Sequence, residues 1–169
     1  MLEPEIEGRP WTEQLILDDE HYRKQLIYLY ERSAFYRDKL GKIGIVSAAS
    51  AGGLAEITQL PFTEKSEIRA SCTAENPIGS HLCVDREKIV RIYSTSGTTG
   101  TPSYIPLTQH DLDNWITGSS RSYAASGITA GQRIVSTYNA GPFVAGAALG
   151  SMDRIGLCHI PVGTGNTER

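Results

Sequence analysis

A helix from Asp18 to about Leu40 is predicted by apolar residues that recur at helical spacing. Asp18 or Asp19 can cap its first turn, and Gly41 stands where a helix commonly ends. Residues 1–17 are punctuated by proline and glycine, so they are predicted to be irregular. The buried stripe of the helix is expected to contain four residues: Leu26, Ile27, Tyr30 and Ala34.

Short elements are predicted in the middle of the chain. Residues 44–60 are expected to form a connection with one helical turn, followed by a helix at Glu64–Ala70 with Thr63 as its N-cap. The pattern then changes. Ile89–Tyr93 is β-branched and aromatic, which predicts a strand, and Ser103–Leu107 is a second extended segment.

A second long helix is predicted after Thr108. Thr108 and Asp111 have the spacing of a capping box. In this motif, each side chain accepts a hydrogen bond from the main-chain N–H of the other residue. Apolar residues follow at helical spacing until Gly127 ends the run. Trp115 and Tyr123 are expected to be core residues of this helix.

The last predicted elements are strand Arg133–Tyr138, helix Phe143–Arg154 and strand Leu157–Val162. Short connections in this order predict a βαβ unit with parallel strands. The expected fold class is therefore α/β, with an N-terminal helical segment followed by a partial, mainly parallel sheet. We expect a helical lead-in region at 1–88 and an α/β region at 89–169, together forming one incomplete domain.

Composition is that of an ordinary globular chain, with 40% hydrophobic and 21% charged residues among 169 and a formal net charge of −3. The charges are interleaved, which argues against a nucleic-acid surface. No apolar run approaches the ~20 residues that span a bilayer, and the acidic N-terminus does not resemble a signal peptide. Three cysteines without paired spacing predict reduced thiols and a cytoplasmic protein.

The segment Ser94–Pro102, which reads STSGTTGTP, carries the most specific chemistry. Gly97 and Gly100 let the backbone bring N–H groups close to an anion, and the intervening hydroxyls can donate to phosphate oxygens. The loop follows a predicted strand, the usual ligand position in α/β sheets. Ser/Gly-rich segments also occur as flexible linkers, but this one is short and rich in threonine, so we favour phosphate binding.

Other nucleotide and catalytic motifs are absent. The P-loop of ATPases needs a lysine after its last glycine, whereas Thr101 follows Gly100 and no lysine occurs after Lys88. Gly163–Gly165 is only half of a dinucleotide fingerprint. The sequence contains neither a Gly-x-Ser-x-Gly elbow nor a His-Glu-x-x-His motif, and three histidines show no ligand spacing: His81, His110 and His159.

The loop resembles the phosphate-loop signature of adenylate-forming enzymes, which include acyl-CoA synthetases and luciferases. Three further stretches are similar to phenylacetate–CoA ligases in particular: Glu31–Arg37, Leu60–Lys65 and Ile160–Arg169. They occur in family order, and the resemblance runs from about residue 20 to the end of the chain. It identifies the chain as resembling an N-terminal fragment of that family.

The resemblance implies a two-step reaction. A carboxylate and ATP, bound with Mg²⁺, give an acyl-adenylate and pyrophosphate, and CoA then takes the acyl group. It further implies that the ATP phosphates are held by seven loop residues: Ser94, Thr95, Ser96, Gly97, Thr98, Thr99 and Gly100. Family members often carry Lys or Arg at the position of Thr101, and this chain lacks that charge.

A second implied site is a pocket for an aromatic acid. In phenylacetate–CoA ligases, the segment that matches Tyr138–Phe143 lines that pocket with a tyrosine and a phenylalanine, here Tyr138 and Phe143. Aromatic walls suit an aromatic ring through stacking and burial of apolar area. An alternative stays open, because Tyr138 ends a predicted strand and Phe143 begins a predicted helix, and both can be core residues.

Three functional hypotheses remain open on the sequence alone. The chain can be a fragment of a ligase, catalytically incomplete because the resemblance implies that the catalytic lysine lies in a missing part; the stop after a strand favours this. It can be a stand-alone phosphate- or nucleotide-binding module. It can also be a non-catalytic interaction fragment that oligomerises through an exposed sheet edge, and a homo-oligomer is expected in each case.

Overall fold

The computed structural model describes residues 1–95, 102–138 and 145–163, apart from the side chains of residue 48 and residues 145–147. The chain forms two compact units. One consists of Arg9–Arg86, and the other consists of Met1–Gly8 together with Glu87–Arg169.

The unit Arg9–Arg86 is helical. Its helices are α2 (Trp11–Arg32), α3 (Ala34–Gly41) and α4 (Lys65–Ala70), with 3₁₀ helices at Ala48–Ala51 and Leu54–Gln59. α2 begins directly after Pro10, so the prediction of irregular structure up to residue 17 is wrong. The short helix α1 (Pro4–Glu7), which belongs to the other unit, also lies in that stretch.

The predicted single helix from Asp18 to Leu40 is in fact two helices separated by Ser33. Ser33 has extended backbone angles, and its Oγ accepts from the N–H of Tyr36 at 3.3 Å, so it caps α3. The side chain of Arg37 folds back and donates to the carbonyls of Tyr30 at 3.0 Å and Glu31 at 2.8 Å, which satisfies the last turn of α2. The break between α2 and α3 contains neither glycine nor proline. Hydrogen bonds stabilise both the end of α2 and the start of α3.

The core of this unit only partly follows the predicted stripe. Leu26 is buried and Tyr30 packs against it, as expected, but Ile27 is 44% exposed and Ala34 is also exposed. The break at Ser33 changes the helical phase, so the stripe does not continue into α3. The buried cluster contains four residues: Leu26, Leu40, Ile45 and Ala51.

The start of α4 lies one residue later than predicted. The helix begins at Lys65 and its N-cap position is Glu64, so the assignment of Thr63 as the cap is wrong. Glu67 Oε2 accepts from the N–H of Glu64 at 2.7 Å, and Oε1 accepts from Lys39 Nζ at 2.6 Å. The hydrogen bond from the N–H of Glu64 is the main reason that the pKa of Glu67 lies below its usual range. The hydrogen bond from Lys39 lowers this pKa further.

The other unit contains two strand pairs. β1 (Ile89–Ser94) begins after a 3₁₀ helix at Arg86–Lys88 and pairs antiparallel with β2 (Tyr104–Thr108). β3 (Arg133–Ser136) pairs parallel with β4 (Cys158–Pro161). The mixed α/β fold class is confirmed, and the predicted βαβ unit is present. The first pair is antiparallel because its connection is short enough for the chain to turn back directly.

Helices α5 (Gln109–Ala125) and α6 (Ala145–Ile155) pack against each other in this unit. The predicted capping box is confirmed: Thr108 Oγ1 accepts from the N–H of Asp111 at 3.2 Å, and Asp111 Oδ2 accepts from the N–H of Thr108 at 2.9 Å. α5 ends two residues before Gly127, whose φ of +90° reverses the chain.

The hairpin of β1 and β2 is covered by α5. Tyr93 is 3% exposed, and its ring meets Trp115 edge-on at a centroid distance of 6.0 Å, which confirms Trp115 as a core residue. Leu107 and Leu112 complete the buried cluster. This packing fixes the ends of both strands, and the candidate phosphate loop lies between those ends.

The N-terminal segment joins the same unit through ion pairs. Arg154 Nη2 lies 3.2 Å from Glu3 Oε1, and Arg121 Nε lies 3.6 Å from Glu7 Oε1. Glu7 also accepts from the N–H of Glu3 at 2.9 Å, which is the largest cause of its lowered pKa. In the part of the chain that the structure describes, no helix has the combined length and apolarity needed to cross a bilayer.

Candidate phosphate-binding site

Strand β1 delivers the chain to the candidate loop in a fixed register. Buried Tyr93 lies opposite Ile105, and half-buried Ser94 lies opposite Tyr104 at the end of the ladder. Ser94 is thus both the last residue of β1 and the first residue of the predicted phosphate-binding segment. Its position at a strand end agrees with the sequence prediction.

Two further hydrogen bonds close the base of the loop beyond the strand pair. The N–H of Thr95 donates to the carbonyl of Ser103 at 3.0 Å. The N–H of Ser103 donates to Thr95 Oγ1 at 3.1 Å. These reciprocal bonds hold the outgoing and returning chains together at one residue pair.

The bonds limit what Thr95 can offer to a phosphate. Its main-chain N–H is already engaged with Ser103, and its hydroxyl oxygen already accepts a hydrogen bond. The hydroxyl proton remains as a donor toward a ligand, because a hydroxyl both donates and accepts. Thr95 therefore closes the base of the loop and is also a candidate phosphate ligand.

The central residues of the predicted site lie outside the described residues. They are Ser96, Gly97, Thr98, Thr99 and Gly100. Their role in phosphate binding stays a prediction. The described geometry concerns the two ends of the segment, which are Ser94 and Thr95 on one side and Pro102 and Ser103 on the other.

Ser103 is not among the predicted site residues, although the structure places it at the base of the loop. Its Oγ is buried and has no hydrogen-bond partner among the described residues. No signal in the sequence marks this residue, because its pairing with Thr95 depends on the register of β1 and β2. A serine after a proline looks like an ordinary loop residue.

The carboxyl ends of β3 and β4 form a second polar edge. Ser136 Oγ and His159 Nε2 are 2.7 Å apart, and the N–H of Val162 donates to the carbonyl of Ser136 at 3.0 Å. Ser136 is buried at the end of its strand. These bonds fix the two points from which the following segments leave the sheet.

Tyr138 follows β3 by two residues and is 47% exposed. Phe143, its predicted companion in the acid pocket, lies outside the described residues. Among the described residues, Tyr138 makes no hydrogen bond or ring contact with Ser94 or Thr95. Each candidate subsite lies at or just after a strand end, and their joint use stays a prediction.

Groups that could hold a metal ion do not occur within the described ranges, where no three His, Cys, Asp or Glu side chains converge. The three cysteines are free thiols: Cys72, Cys83 and Cys158. The hydroxyl groups of Ser94 and Thr95 are of a kind that suits the oxygens of a phosphate.

Comparison with known proteins shows that this chain is similar to part of several CoA ligases. No family model matches it. It is 34% identical over 170 residues to the phenylacetate–coenzyme A ligase of Thermus thermophilus, covering 100% of this chain and 37% of that ligase. The ligases of the same name from Aromatoleum evansii and Escherichia coli are 33% and 32% identical over 99% and 97% of this chain, which covers 37% and 36% of their lengths. The chain thus spans little more than a third of the relatives it matches.

Solved structures give the same fold. An open conformation of 2-hydroxyisobutyryl-CoA ligase in complex with 2-HIB-AMP and CoA superposes with a TM-score of 0.83 and 22% identity, covering 94% of this chain and 36% of that one. The same ligase in its thioesterification state, again with 2-HIB-AMP and CoA, gives a TM-score of 0.80 and 24% identity, with coverages of 94% and 34%. At these identities the likeness shows the fold alone.

Proposed function

Because this chain belongs to the phenylacetate–CoA ligase family, we propose that it is the phosphate-binding part of an ATP-dependent ligase for an aromatic, phenylacetate-like acid. The observation that carries the proposal is the similarity to three phenylacetate–coenzyme A ligases along 97–100% of this chain. The hairpin that closes at Thr95 and Ser103 supports it, because it presents the candidate loop directly after a strand end.

The proposed reaction has two steps. An oxygen of the substrate carboxylate attacks the α-phosphorus of ATP, which enters as its Mg²⁺ complex, and the bond to the β-phosphate breaks to release pyrophosphate. The CoA thiol then attacks the acyl carbon of the adenylate, loses its proton, and displaces AMP. The products are an acyl-CoA thioester, AMP and pyrophosphate.

The proposed role of this chain lies in the first step. Negative charge builds on the departing pyrophosphate, so donors that are already oriented toward those oxygens stabilise the transition state as well as bound ATP. The hydroxyl proton of Thr95 is one such donor, held by the bond from Ser103 to its oxygen. The remaining donors would come from Ser94 and from Ser96–Gly100.

Tyr138 and Phe143 are the proposed walls for the aromatic ring of the acid. The support is that Tyr138 is half exposed just beyond the carboxyl end of β3, where ligands bind in α/β folds. Its neighbour Ser136 is tied to His159, which gives the tyrosine segment a fixed starting point. Tyr138→Ala should therefore weaken use of an aromatic acid more than use of a short aliphatic one.

We also propose that the isolated chain does not form acyl-adenylate, because it spans 37% of the length of its Thermus relative. By resemblance, the catalytic lysine and the acidic residue for magnesium belong to the part of a ligase beyond these residues. A cytoplasmic location and the absence of nucleic-acid or membrane partners stay predictions.

A chimeric ligase tests this function. The segment of the Thermus thermophilus ligase that matches this chain would be replaced by the 169 residues, and exchange of labelled pyrophosphate into ATP would be measured with and without phenylacetate. We expect exchange that depends on phenylacetate. A folded chimera without exchange would contradict the proposal.

Two glycine variants of the chimera provide the matched comparison. Gly97→Ala should reduce exchange about tenfold or more, since a Cβ disturbs a backbone that must approach phosphate. Gly118→Ala is the control, because a Cβ at Gly118 in α5 would meet no atom within 4 Å. If both variants retained full exchange, the loop would not be the phosphate site.

A further inference from the structure

A groove of about 760 Å³ opens on the surface of the unit Arg9–Arg86, and neither candidate subsite uses it. Its walls come from α3, from the chain that leads into α4, and from α4 itself. Four apolar residues line it: Phe35, Ile43, Pro61 and Phe62. Phe62 is 94% exposed and Ile43 is 45% exposed, so part of this apolar lining faces solvent in the chain.

The groove is already formed, because an ion pair joins two of its walls. Lys39 in α3 donates to Glu67 in α4, with Nζ 2.6 Å from Oε1. The same ammonium group lies 5.9 Å from the centre of the Phe35 ring, and the Lys39 side chain is only 11% exposed. These contacts fix the spacing of α3 and α4, so a partner meets a surface of defined shape and little ordering is needed when it binds.

Two sequence stretches that resemble phenylacetate–CoA ligases meet at this groove. Glu31–Arg37 contributes Phe35, and Leu60–Lys65 contributes Pro61 and Phe62. The phosphate-binding and acid-binding proposals use neither stretch. Because both stretches contribute to one surface, the groove is a feature that this chain shares with ligases rather than one peculiar to it.

The relatives indicate what such a groove contacts. This chain covers 37% of the Thermus thermophilus ligase and 36% of the superposed 2-hydroxyisobutyryl-CoA ligase, so most of a ligase lies outside the matched part. Exposed apolar surface with a polar rim marks a contact site, and aromatic side chains commonly anchor such contacts. Two charged residues at the groove, Asp38 and Lys42, form no ion pair among the described residues, so they can pair with charges of a partner.

We propose that the groove beside Phe62 is the surface on which the part of a phenylacetate–CoA ligase that this chain lacks packs, an inference that rests on the function proposed above. An apolar side chain of that part enters the groove and covers Phe62, and charged neighbours of that side chain face Asp38 and Lys42. A second copy of this chain is the competing occupant, and its binding would depend on protein concentration.

Footprinting with hydroxyl radicals, which oxidise exposed aromatic side chains, tests the inference on the natural 169-residue chain and on the chimeric ligase. The rate of oxidation at Phe62 would be read by peptide mass spectrometry. We expect this rate to be about tenfold or more lower in the chimera, because a side chain packed at a contact reacts only when that contact opens.

Trp11 is the matched control within the same unit. It is 69% exposed, and it lies outside both the groove and the two ligase-like stretches. Its oxidation rates in the chimera and in the isolated chain should agree within about twofold. Equal protection of Trp11 and Phe62 would mean that the groove is not a specific contact, and would overturn the inference.

Phe62→Ser supplies a second readout. In the isolated chain it should leave the thermal unfolding midpoint unchanged, because the side chain is exposed there. In the chimera it should lower the midpoint, because it removes an aromatic ring that is packed at a contact. Val46→Ser, at a residue that is 75% exposed and outside the groove, should change neither midpoint. A chimera whose midpoint is insensitive to Phe62→Ser would contradict the inference.

The outcomes separate this inference from the proposed function. If the chimera exchanges pyrophosphate into ATP while Phe62 is oxidised as fast as in the isolated chain, the inference is wrong and the function stands. If Phe62 is protected but no exchange occurs, the contact is present and the proposed function fails. Protection of Phe62 in the isolated chain that grows with concentration would assign the groove to a second copy and overturn the inference.

A chimera that does not fold would also overturn the inference, because the groove would then not fit the rest of the ligase. Binding of pyrophosphate to the isolated chain would still test the proposed function separately.

Discussion

The two strand pairs of the unit that contains the candidate site differ in how completely the chain covers them. The hairpin of β1 and β2 has Tyr93 buried at 3% exposure beneath α5. In the parallel pair of β3 and β4, Val135 lies directly opposite Ile160, and these side chains are 62% and 42% exposed. The first pair is covered by α5, whereas the second has an apolar face that the described residues leave exposed.

We infer from this difference that the described residues support the two candidate subsites to different extents. The base of the phosphate loop is set by local contacts among the hairpin, α5 and the Thr95–Ser103 bonds. Parallel strands are normally covered on both faces, so the edge that carries Tyr138 depends on further covering. Phosphate binding should accordingly survive in the isolated chain better than acid binding.

The largest expected effect is loss of stability when the hairpin core is emptied. Tyr93→Ala should destabilise this unit by about 3–5 kcal/mol, since it removes a buried aromatic ring. Val135→Ala, in the parallel pair, should change stability by less than about 0.5 kcal/mol because Val135 is exposed. The measurement is urea unfolding followed by Trp115 fluorescence, and it would be made in a Trp11→Phe background because the chain has 2 tryptophans.

Equal losses for the two variants would contradict the comparison. A large loss for Val135→Ala alone would mean that the parallel pair is the packed one.

The next effect concerns self-association. The sequence predicts a homo-oligomer through an exposed sheet edge, and we expect the exposed Val135 and Ile160 face to contribute to that association. Val135→Lys should weaken that association about tenfold or more, because a charge would have to be buried at the contact. Sedimentation velocity over a range of concentrations measures it.

Val90→Lys is the matched control, since Val90 is a similarly exposed valine on the hairpin. Association that Val90→Lys disrupts and Val135→Lys leaves intact would place the contact on the hairpin instead.

A smaller effect is expected at the cap of α5. Thr108→Ala should cost about 1 kcal/mol, the usual value for an N-cap that accepts from the first turn. Thr117→Ala should be neutral or slightly stabilising, because Thr117 lies within the helix and its Oγ1 donates back to the carbonyl of Asp113. Both are read from urea unfolding. If the two substitutions had identical effects, the Thr108 cap would not stabilise the unit that contains α5.

The smallest expected effect is a pH dependence of stability that is confined to the helical unit Arg9–Arg86. Burial lowers the pKa of His81 below its usual 6.5. The unfolded chain therefore binds the extra proton first, so stability is constant above about pH 6.5 and falls as pH drops toward the folded-state pKa. His81→Gln should remove this dependence.

Hydrogen exchange of the Leu40 and Leu107 amides at about pH 7 and about pH 5.5 checks it, covering the range where histidine changes charge. Leu40, in the unit with His81, should lose protection, whereas Leu107 in the hairpin should not. Equal loss at both amides would mean that the two units do not respond separately.

Local sequence signals predicted the parts of the fold that depend on near neighbours. The capping box of Thr108 and Asp111 needs only residues three apart, and both of its bonds are present. The βαβ unit was predicted from strand and helix patterns in succession, and β3 and β4 are parallel. Trp115 was predicted in the core from helical spacing, and it packs on Tyr93.

Features that depend on contacts beyond one helical turn could not be predicted from the sequence. The break at Ser33 is stabilised partly by Arg37 reaching back to α2, and a serine inside an apolar helical pattern gives no warning of it. The pairing of Thr95 with Ser103 depends on hairpin register, which brings together residues eight apart. For the candidate site, the loop could be predicted from the sequence. The hydrogen bonds that close its base and the burial of the Ser103 hydroxyl are seen only in the structure.

The most direct test of the account is an NMR titration of the isotopically labelled chain with inorganic pyrophosphate. We expect saturable shifts of the Thr95 and Ser103 amides, with little change at Val135 in the parallel pair. Absence of any shift at Thr95 and Ser103 up to saturating pyrophosphate, or shifts confined to the unit Arg9–Arg86, would contradict it.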